Sequence, residues 1–305
     1  MRSLHALICI LLIAACAHKA PPISKDRLSP KLVKTAVLST RQLQLSFSED
    51  LDTIATTHDS MLIASASETL GILQMYPSLS ASEIVLITTP MNKVMYDIAG
   101  IVFDNAENRG SFRSTFQGST NPDTIPPWVT GYAQGRNTSE FFLNFSEAMD
   151  TTYIAFSIVP RRNFTPVWAN PRYISFVPEA SGETLGFDTT YYLYLKKARD
   201  ISGNYTAPFI TSITPDTVHR PIILSGKALI NGTPATDGLA LLIREEPVGI
   251  SLVQRGEFAF SVRDSLAFTV QVITEEHTGT GMVRVGADNI IRLEKGKTDI
   301  DRLIN

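Results

Sequence analysis

Of the side chains that could do covalent or metal chemistry, cysteine and histidine are scarce in this 305-residue chain. The cysteines are Cys9 and Cys16, and the histidines are His5, His18, His58, His219 and His277. No two histidines fall within four residues of each other, so no His-Glu-x-x-His zinc pair can form on a helix turn. Neither a Gly-x-Ser-x-Gly nucleophile elbow nor a Gly-x-x-x-x-Gly-Lys phosphate loop occurs. The chain therefore reads as non-catalytic. Carboxylates do gather, as Glu49, Asp50 and Asp52, as Glu147 and Asp150, and as Asp200 with Asn204. Calcium takes about six to eight oxygens, which loops at one pole of a β-structure can supply. Charged groups at strand ends are also simply solvated, so no residue is assigned to a metal and no cofactor is expected. Trp128, Trp168, Tyr173, Tyr191 and Tyr194 could stack on sugar rings, but core packing is the first expectation for them.

Cys16 is the one residue whose surroundings specify a reaction. Arg2 precedes an apolar run from Leu4 to Ile13, and Ala14 and Ala15 lead into the cysteine. A bilayer span needs about 20 apolar residues, so the run is too short for a stable anchor and reads as a secretory signal. Leu12-Ile13-Ala14-Ala15-Cys16 resembles the lipobox of bacterial lipoproteins. The resemblance implies cleavage before Cys16, a diacylglyceryl thioether on its sulfur and acylation of the new amino group. Two or more acyl chains hold a protein stably on a membrane. Ala17, a non-aspartate residue after the cysteine, implies sorting to the outer membrane by the rule for enteric-type bacteria. Cys9 leaves with the signal, so the mature chain keeps no thiol for a disulfide.

The formal charge of −3 becomes −4 once Arg2 is removed. No basic patch stands out, so nucleic acid is not an expected partner. Residues 17–30 carry Pro21, Pro22 and Pro30 among Lys19, Lys25, Asp26 and Arg27. This composition predicts an extended tether, reaching about 45 Å. Beyond it, apolar and polar residues alternate in short runs bounded by Gly, Pro, Asn and Asp, the pattern of successive β-sandwiches.

The chain also repeats itself. Leu43-Gln44-Leu45-Ser46-Phe47-Ser48-Glu49-Asp50-Leu51-Asp52 matches Phe141-Phe142-Leu143-Asn144-Phe145-Ser146-Glu147-Ala148-Met149-Asp150. Later in each copy, Tyr96 precedes Asp104-Asn105-Ala106-Glu107-Asn108 by the same interval as Tyr192 precedes Asp200-Ile201-Ser202-Gly203-Asn204. A period of about 97 residues suits one sandwich of about 100 residues. Leu43, Leu45 and Phe47 should share a buried face, as should Phe141, Leu143 and Phe145. The second copy resembles the bacterial immunoglobulin-like domains of surface-layer proteins, which read Phe-Ser-Glu-Pro-Met-Asp, then a tyrosine-rich strand, then Asp-x-x-Gly-Asn. The first copy departs from that pattern at Asp50-Leu51 and at Glu107, which stands in place of glycine. The resemblance implies a seven-stranded sandwich in each copy and no enzymatic activity.

The last segment differs. Gly226-Lys227-Ala228-Leu229-Ile230-Asn231-Gly232-Thr233-Pro234, then Gly256-Glu257-Phe258-Ala259-Phe260, then Phe268-Thr269-Val270-Gln271-Val272, resembles the carboxypeptidase regulatory-like, transthyretin-like sandwich. Leu266 stands where that family has glycine, and a third, diverged immunoglobulin-like sandwich is the alternative. The charged tail from Arg292 to Asn305 reads as an edge strand with a frayed end.

The expected fold class is all-β, with tandem immunoglobulin-like β-sandwiches and a C-terminal transthyretin-like β-sandwich. Its expected parts are a signal peptide over 1–15, a lipidated tether over 16–30, and modules over 31–119, 120–215 and 216–305. Pro126-Pro127 and Pro215 should stiffen the junctions. The expected location is the bacterial cell envelope, with a lipid anchor in the outer membrane. Expected partners are the membrane, through the lipid on Cys16, and an envelope protein or polysaccharide. The expected role is structural or adhesive, as a spacer and interaction surface. The alternative is an accessory subunit, binding carbohydrate or protein, of an envelope enzyme or polymer-handling system.

Overall fold

A computed structural model describes residues 26–304, except 79, 137–139, 180–184, 187–188, 216–221 and 264–266. Cys16, the signal segment and Leu266 lie outside the described residues. The chain forms two compact units, residues 1–121 and 122–305. Among the described residues no helix is long and apolar enough to cross a membrane.

The first unit is built from β1 (Leu32–Ser39), β2 (Gln42–Phe47), β3 (Met61–Ala64), β4 (Thr69–Leu70), β5 (Ile72–Pro77), β6 (Glu83–Thr88), β7 (Met95–Phe103) and β8 (Arg109–Gln117). They form two four-stranded sheets, β1-β2-β6-β5 and β4-β3-β7-β8. Leu43, Leu45 and Phe47 point into the space between them, against Ile63, Tyr96, Ile98 and Phe112. The alternation in β2 thus delivers one buried face, as its period of two requires.

The second unit opens with β9 (Val129–Tyr132), β10 (Gly135–Arg136), β11 (Phe141–Phe145), β12 (Met149–Val159), β13 (Phe164–Asn170), β14 (Tyr173–Pro178), β15 (Tyr191–Asp200) and β16 (Phe209–Thr214). These pair as β13-β14-β11-β9 and β10-β16-β15-β12. The sheet β9-β11-β14-β13 repeats β1-β2-β6-β5, and β12-β15-β16 repeats β3-β7-β8. Seven strands are therefore common to both copies. Each copy adds a two-residue eighth strand at a sheet edge, β4 in one and β10 in the other.

One detail of the repeat is corrected. The counterpart of Tyr96 is Tyr191, not Tyr192. Tyr96 and Tyr191 both lie in their cores, and each hydroxyl accepts a hydrogen bond from a preceding backbone N–H, of Asn92 and Gly186 respectively, at 3.0 Å. The register between β12 and β15 slips where Ala155 faces Lys197 but Phe156 faces Leu195. Lys196 is the extra residue of this bulge. An inserted residue moves what lies beyond it to the other face of the sheet, which puts Tyr192 and Tyr194 outside the sandwich.

The rest of the second unit comprises β17 (Ile222–Ile230), β18 (Thr233–Pro234), β19 (Asp237–Ile243), β20 (Pro247–Gln254), β21 (Glu257–Val262), β22 (Phe268–Ile273), β23 (His277–Val283), β24 (Ile290–Lys295) and a short helix, α1 (Ile300–Ile304). Asn231-Gly232 and Arg255-Gly256 all take positive φ and form two-residue hairpin turns. The strands make one sheet, β18-β17-β21-β20-β19-β22-β23-β24, which closes on itself because β24 runs parallel to β17. Its interior is filled by Leu224, Phe258, Phe260, Val270, Val272 and Leu293. The tail is therefore not an edge: β24 pairs on both sides, and Ile304 is buried.

The outward tyrosines of β15 now have a purpose. Tyr192, Tyr194 and Val159 join Leu239, Leu241, Ile250, Ile273 and Ile304 in a second apolar core shared by the two modules of this unit. β20 and β21 pair only at Gln254 and Glu257, so β21 leaves backbone groups open beyond that point. The Tyr192 hydroxyl fills one such position, accepting from Ser261 N–H at 3.1 Å and donating to Ser261 C=O at 3.0 Å. Lys196, the bulge residue, pairs with Asp301 of α1 at 2.5 Å.

Glu107 holds a left-handed backbone with φ of 66°, where the second copy has Gly203 at 102°. A side chain in that region costs about 1–2 kcal/mol, and glycine relieves it at some entropic cost in the unfolded chain. Glu107→Gly should stabilise the first unit by about 0.5–1 kcal/mol, read as a higher urea midpoint with an unchanged slope.

Candidate functional site: a duplicated carboxylate cluster

Each sandwich repeats the same polar construction at one pole. In the first copy, Asp104 directly follows β7 and its Oδ1 accepts from the backbone N–H of Ala106 at 2.8 Å and of Asn108 at 2.7 Å. Its Oδ2 accepts from Asn108 Nδ2 at 2.8 Å, and that amide also donates to the carbonyl of Asp26 at 3.2 Å. In the second copy, Asp200 Oδ1 accepts from Ser202 and Asn204 N–H, both at 2.8 Å. Its Oδ2 accepts from Asn204 Nδ2 at 2.9 Å, and that amide donates to the carbonyl of Asp123 at 3.1 Å. The turn after the tyrosine strand is thus tied to the segment that enters each sandwich.

A further strut lies alongside. Lys31 N–H donates to Ser48 Oγ at 3.0 Å, and Trp128 N–H donates to Ser146 Oγ at 3.1 Å. These bonds hold the residue after each serine, Glu49 or Glu147, at the same pole. The carboxylates of Asp26, Glu49 and Asp104 lie within 4.8 Å of one another, as do those of Asp123, Glu147 and Asp200. The anchoring aspartates are buried, 3% exposed for Asp104 and 1% for Asp200.

Burial and facing charge dictate the protonation. Burial pushes the Glu147 carboxyl up to about 8, and Asp123 and Asp200 add to the rise, with Arg172 opposing it. Glu49 is also raised, by burial, Asp104 and Asp26. Burial acts against the Asp104 carboxylate, but the hydrogen bonds from Asn108 and Ala106 hold it below its ordinary value. The second cluster therefore favours a proton on Glu147, and a cation placed among the oxygens of either cluster would relieve the repulsion that raises its glutamate. In the second copy part of that relief is built in. Arg172 is buried beside the cluster, with its Nε donating to Phe145 C=O at 3.0 Å. The equivalent turn position in the first copy is Ser82, whose carbonyl accepts from Phe47 N–H as that of Arg172 does from Phe145 N–H.

A Glu147 carboxyl raised from 4.5 to about 8 binds its proton more tightly folded than unfolded. The stability it contributes is full below about pH 4.5 and is lost as pH rises through about 8. Thermal midpoints of the second unit should fall between about pH 5 and pH 9, and Glu147→Gln should flatten that fall.

Sequence reasoning found only part of this site. Glu49, Glu147 and Asp200 lie in the clusters, and Asn204 braces Asp200. Asp150 does not join; it pairs with Arg199 at 2.6 Å. Asp52 caps its own turn, accepting from Ile54 and Ala55 N–H, and Asp50 is exposed and outside the cluster. Asp26 and Asp123 were missed. A sequence signal existed: Asp26 and Pro30 recur as Asp123 and Pro127 at the repeat's own spacing of 97. It follows that residues 26–30 belong to the first sandwich and not to a free tether, and Pro30 is buried. Of the five aromatics, Tyr191 lies in the sandwich core, Trp168 stacks on Phe145, Tyr194 lies in the shared core and Tyr173 stacks on Phe142. Trp128 is instead 57% exposed.

No family model matches the chain, and no curated protein matches it. Solved structures with some likeness include the bacterial surface-layer protein SbsC, domains 1–6, at 10% identity and a TM-score of 0.29, covering 91% of this chain and 58% of that one. Dimeric latent PorU from Porphyromonas gingivalis aligns at 9% identity and a TM-score of 0.32, over 87% of this chain and 33% of that one. The Bacteroides ovatus mixed-linkage glucan utilization locus protein SGBP-B, in complex with a heptasaccharide, aligns at 12% and 0.23, over 78% and 68%. The chain thus spans less than two thirds of SbsC and of PorU. The all-β architecture rests on the strands described above, and these similarities assign neither family nor activity.

Proposed function

We propose that this chain is a non-catalytic, lipid-anchored protein of a bacterial cell envelope, held through Cys16, whose β-sandwich modules act as a spacer and an interaction surface. The observation that carries the reading is the apolar core shared by the second and third modules, with the Tyr192 hydroxyl inserted at Ser261. A large apolar side chain contributes about 1.5–3 kcal/mol when fully buried, and several are spent here on joining two modules. Such a joint transmits position and load, which is what a spacer requires. The polar braces at the poles of both sandwiches serve the same end, by fastening the segment that enters each one. The reading is tested by fractionation. The wild-type chain should sediment with membranes and dissolve in detergent, and Cys16→Ala should appear in the soluble fraction with its fold intact. A Cys16→Ala variant still held on membranes would remove the anchor from the account.

A further inference from the structure

The core shared by the second and third modules does not close on all sides. At one edge it opens into a cleft of about 570 Å³, within the range of about 300–1,000 Å³ usual for ligand sites. Leu239, Leu252 and Ile273 make its floor, and all three belong to that core or pack against it. Ile300 of α1 lines one wall. Tyr194 also lines the cleft. It is 5% exposed, and its hydroxyl has no hydrogen-bond partner among the described residues, whereas the Tyr192 hydroxyl is fully used by Ser261. The hydroxyl oxygen reaches solvent and can meet a polar group that enters the cleft.

The rim is acidic. Asp237 and Glu275 line the cleft and are exposed, and neither takes part in an ion pair among the described residues. Among the described residues no lysine or arginine lines it. This combination discriminates between ligand classes. An acyl chain would cover the floor but leave the Tyr194 hydroxyl and both carboxylates without partners. A sugar would meet aliphatic side chains where it needs ring faces, and Tyr194 is the only aromatic lining residue among the described residues. A peptide supplies an apolar side chain, amide groups for the hydroxyl and a cation for the rim, and charge complementarity of this kind selects partners. We propose that this cleft binds an extended peptide segment, seating one apolar side chain on the Leu239–Ile273 floor and a neighbouring basic side chain at Asp237 and Glu275.

The test uses the full chain and a fluorescein-labelled hexapeptide alternating lysine and leucine, with glutamate–leucine and serine–leucine versions as comparisons, titrated by anisotropy. The lysine–leucine peptide should bind about ten-fold or more tightly than either of the others. Asp237→Asn with Glu275→Gln should cost about the same factor, Tyr194→Phe should weaken binding several-fold, and Ala207→Trp at the exposed edge of the cleft should block it. Ala207, Asp237 and Glu275 are exposed, so their variants keep the fold. The proposal is overturned if the lysine–leucine peptide fails to bind, if the serine–leucine peptide binds equally well, or if Ala207→Trp leaves binding unchanged.

Discussion

Asp200→Ala should destabilise the second sandwich by about 3–5 kcal/mol. The carboxylate is 1% exposed and accepts from two backbone N–H groups and the Asn204 amide. Alanine leaves those part-buried donors without their acceptor, and each such loss costs up to about 1–3 kcal/mol. It also frees Asn204, whose amide ties the turn to Asp123. Some of the loss is returned, because removing Asp200 relieves Glu147 of a facing charge. Asp200→Asn separates the two effects, since it keeps one oxygen acceptor while removing the charge. It should cost clearly less than alanine and lower the pH at which Glu147 titrates. The duplicate cluster provides an internal check: Asp104→Ala should injure the first unit in the same way, through Ala106 and Asn108. Denaturant midpoints give the answer, and a loss below about 1 kcal/mol in both units would mean that the braces do not support the poles.

The second large effect lies at the joint. Leu241 is fully buried in the core between the second and third modules. Leu241→Ala removes its contacts and leaves a cavity, at a cost of about 2–5 kcal/mol. The shape of the transition is more telling than its position. Modules that share a core should unfold together, so the second unit should give a single calorimetric transition. In Leu241→Ala that transition should broaden or split, with each module melting on its own core. Tyr192→Phe probes the same joint without a cavity, since it withdraws only the hydroxyl from Ser261. Two separate transitions already present in the wild-type unit would show the modules to be independent neighbours, and the spacer reading would lose its support.

The features legible in the sequence are those encoded locally. Alternation in β2 and β11 announced their buried faces, and the repeat announced two sandwiches of one design. The Asp-x-x-Gly-Asn turn was recognisable because its conformational demand falls on adjacent residues. Glu107 could be marked as the departure from it, and it does take the left-handed backbone that glycine would take without strain. What escaped depends on contacts between distant residues. Asp26 and Asp123 sit in proline-bearing segments that resemble linkers, and only the return of Asn108 and Asn204 to their carbonyls makes them part of a site. The bulge at Lys196 was hidden because the run Tyr191-Tyr192-Leu193-Tyr194-Leu195 offers apolar bodies to both faces. A one-residue slip there decides which tyrosines fill the sandwich and which join the next module. The parallel pairing of β24 with β17 links residues more than 60 apart, and no local pattern signals it.

The account as a whole depends on Cys16, and the intact mass of the mature protein extracted from membranes tests it most directly. The account predicts a chain that begins at Cys16 and carries a diacylglyceryl group on sulfur with a further acyl chain on its amino group. A chain that retains residues 1–15, or one that is cut elsewhere with Cys16 unmodified, would contradict it.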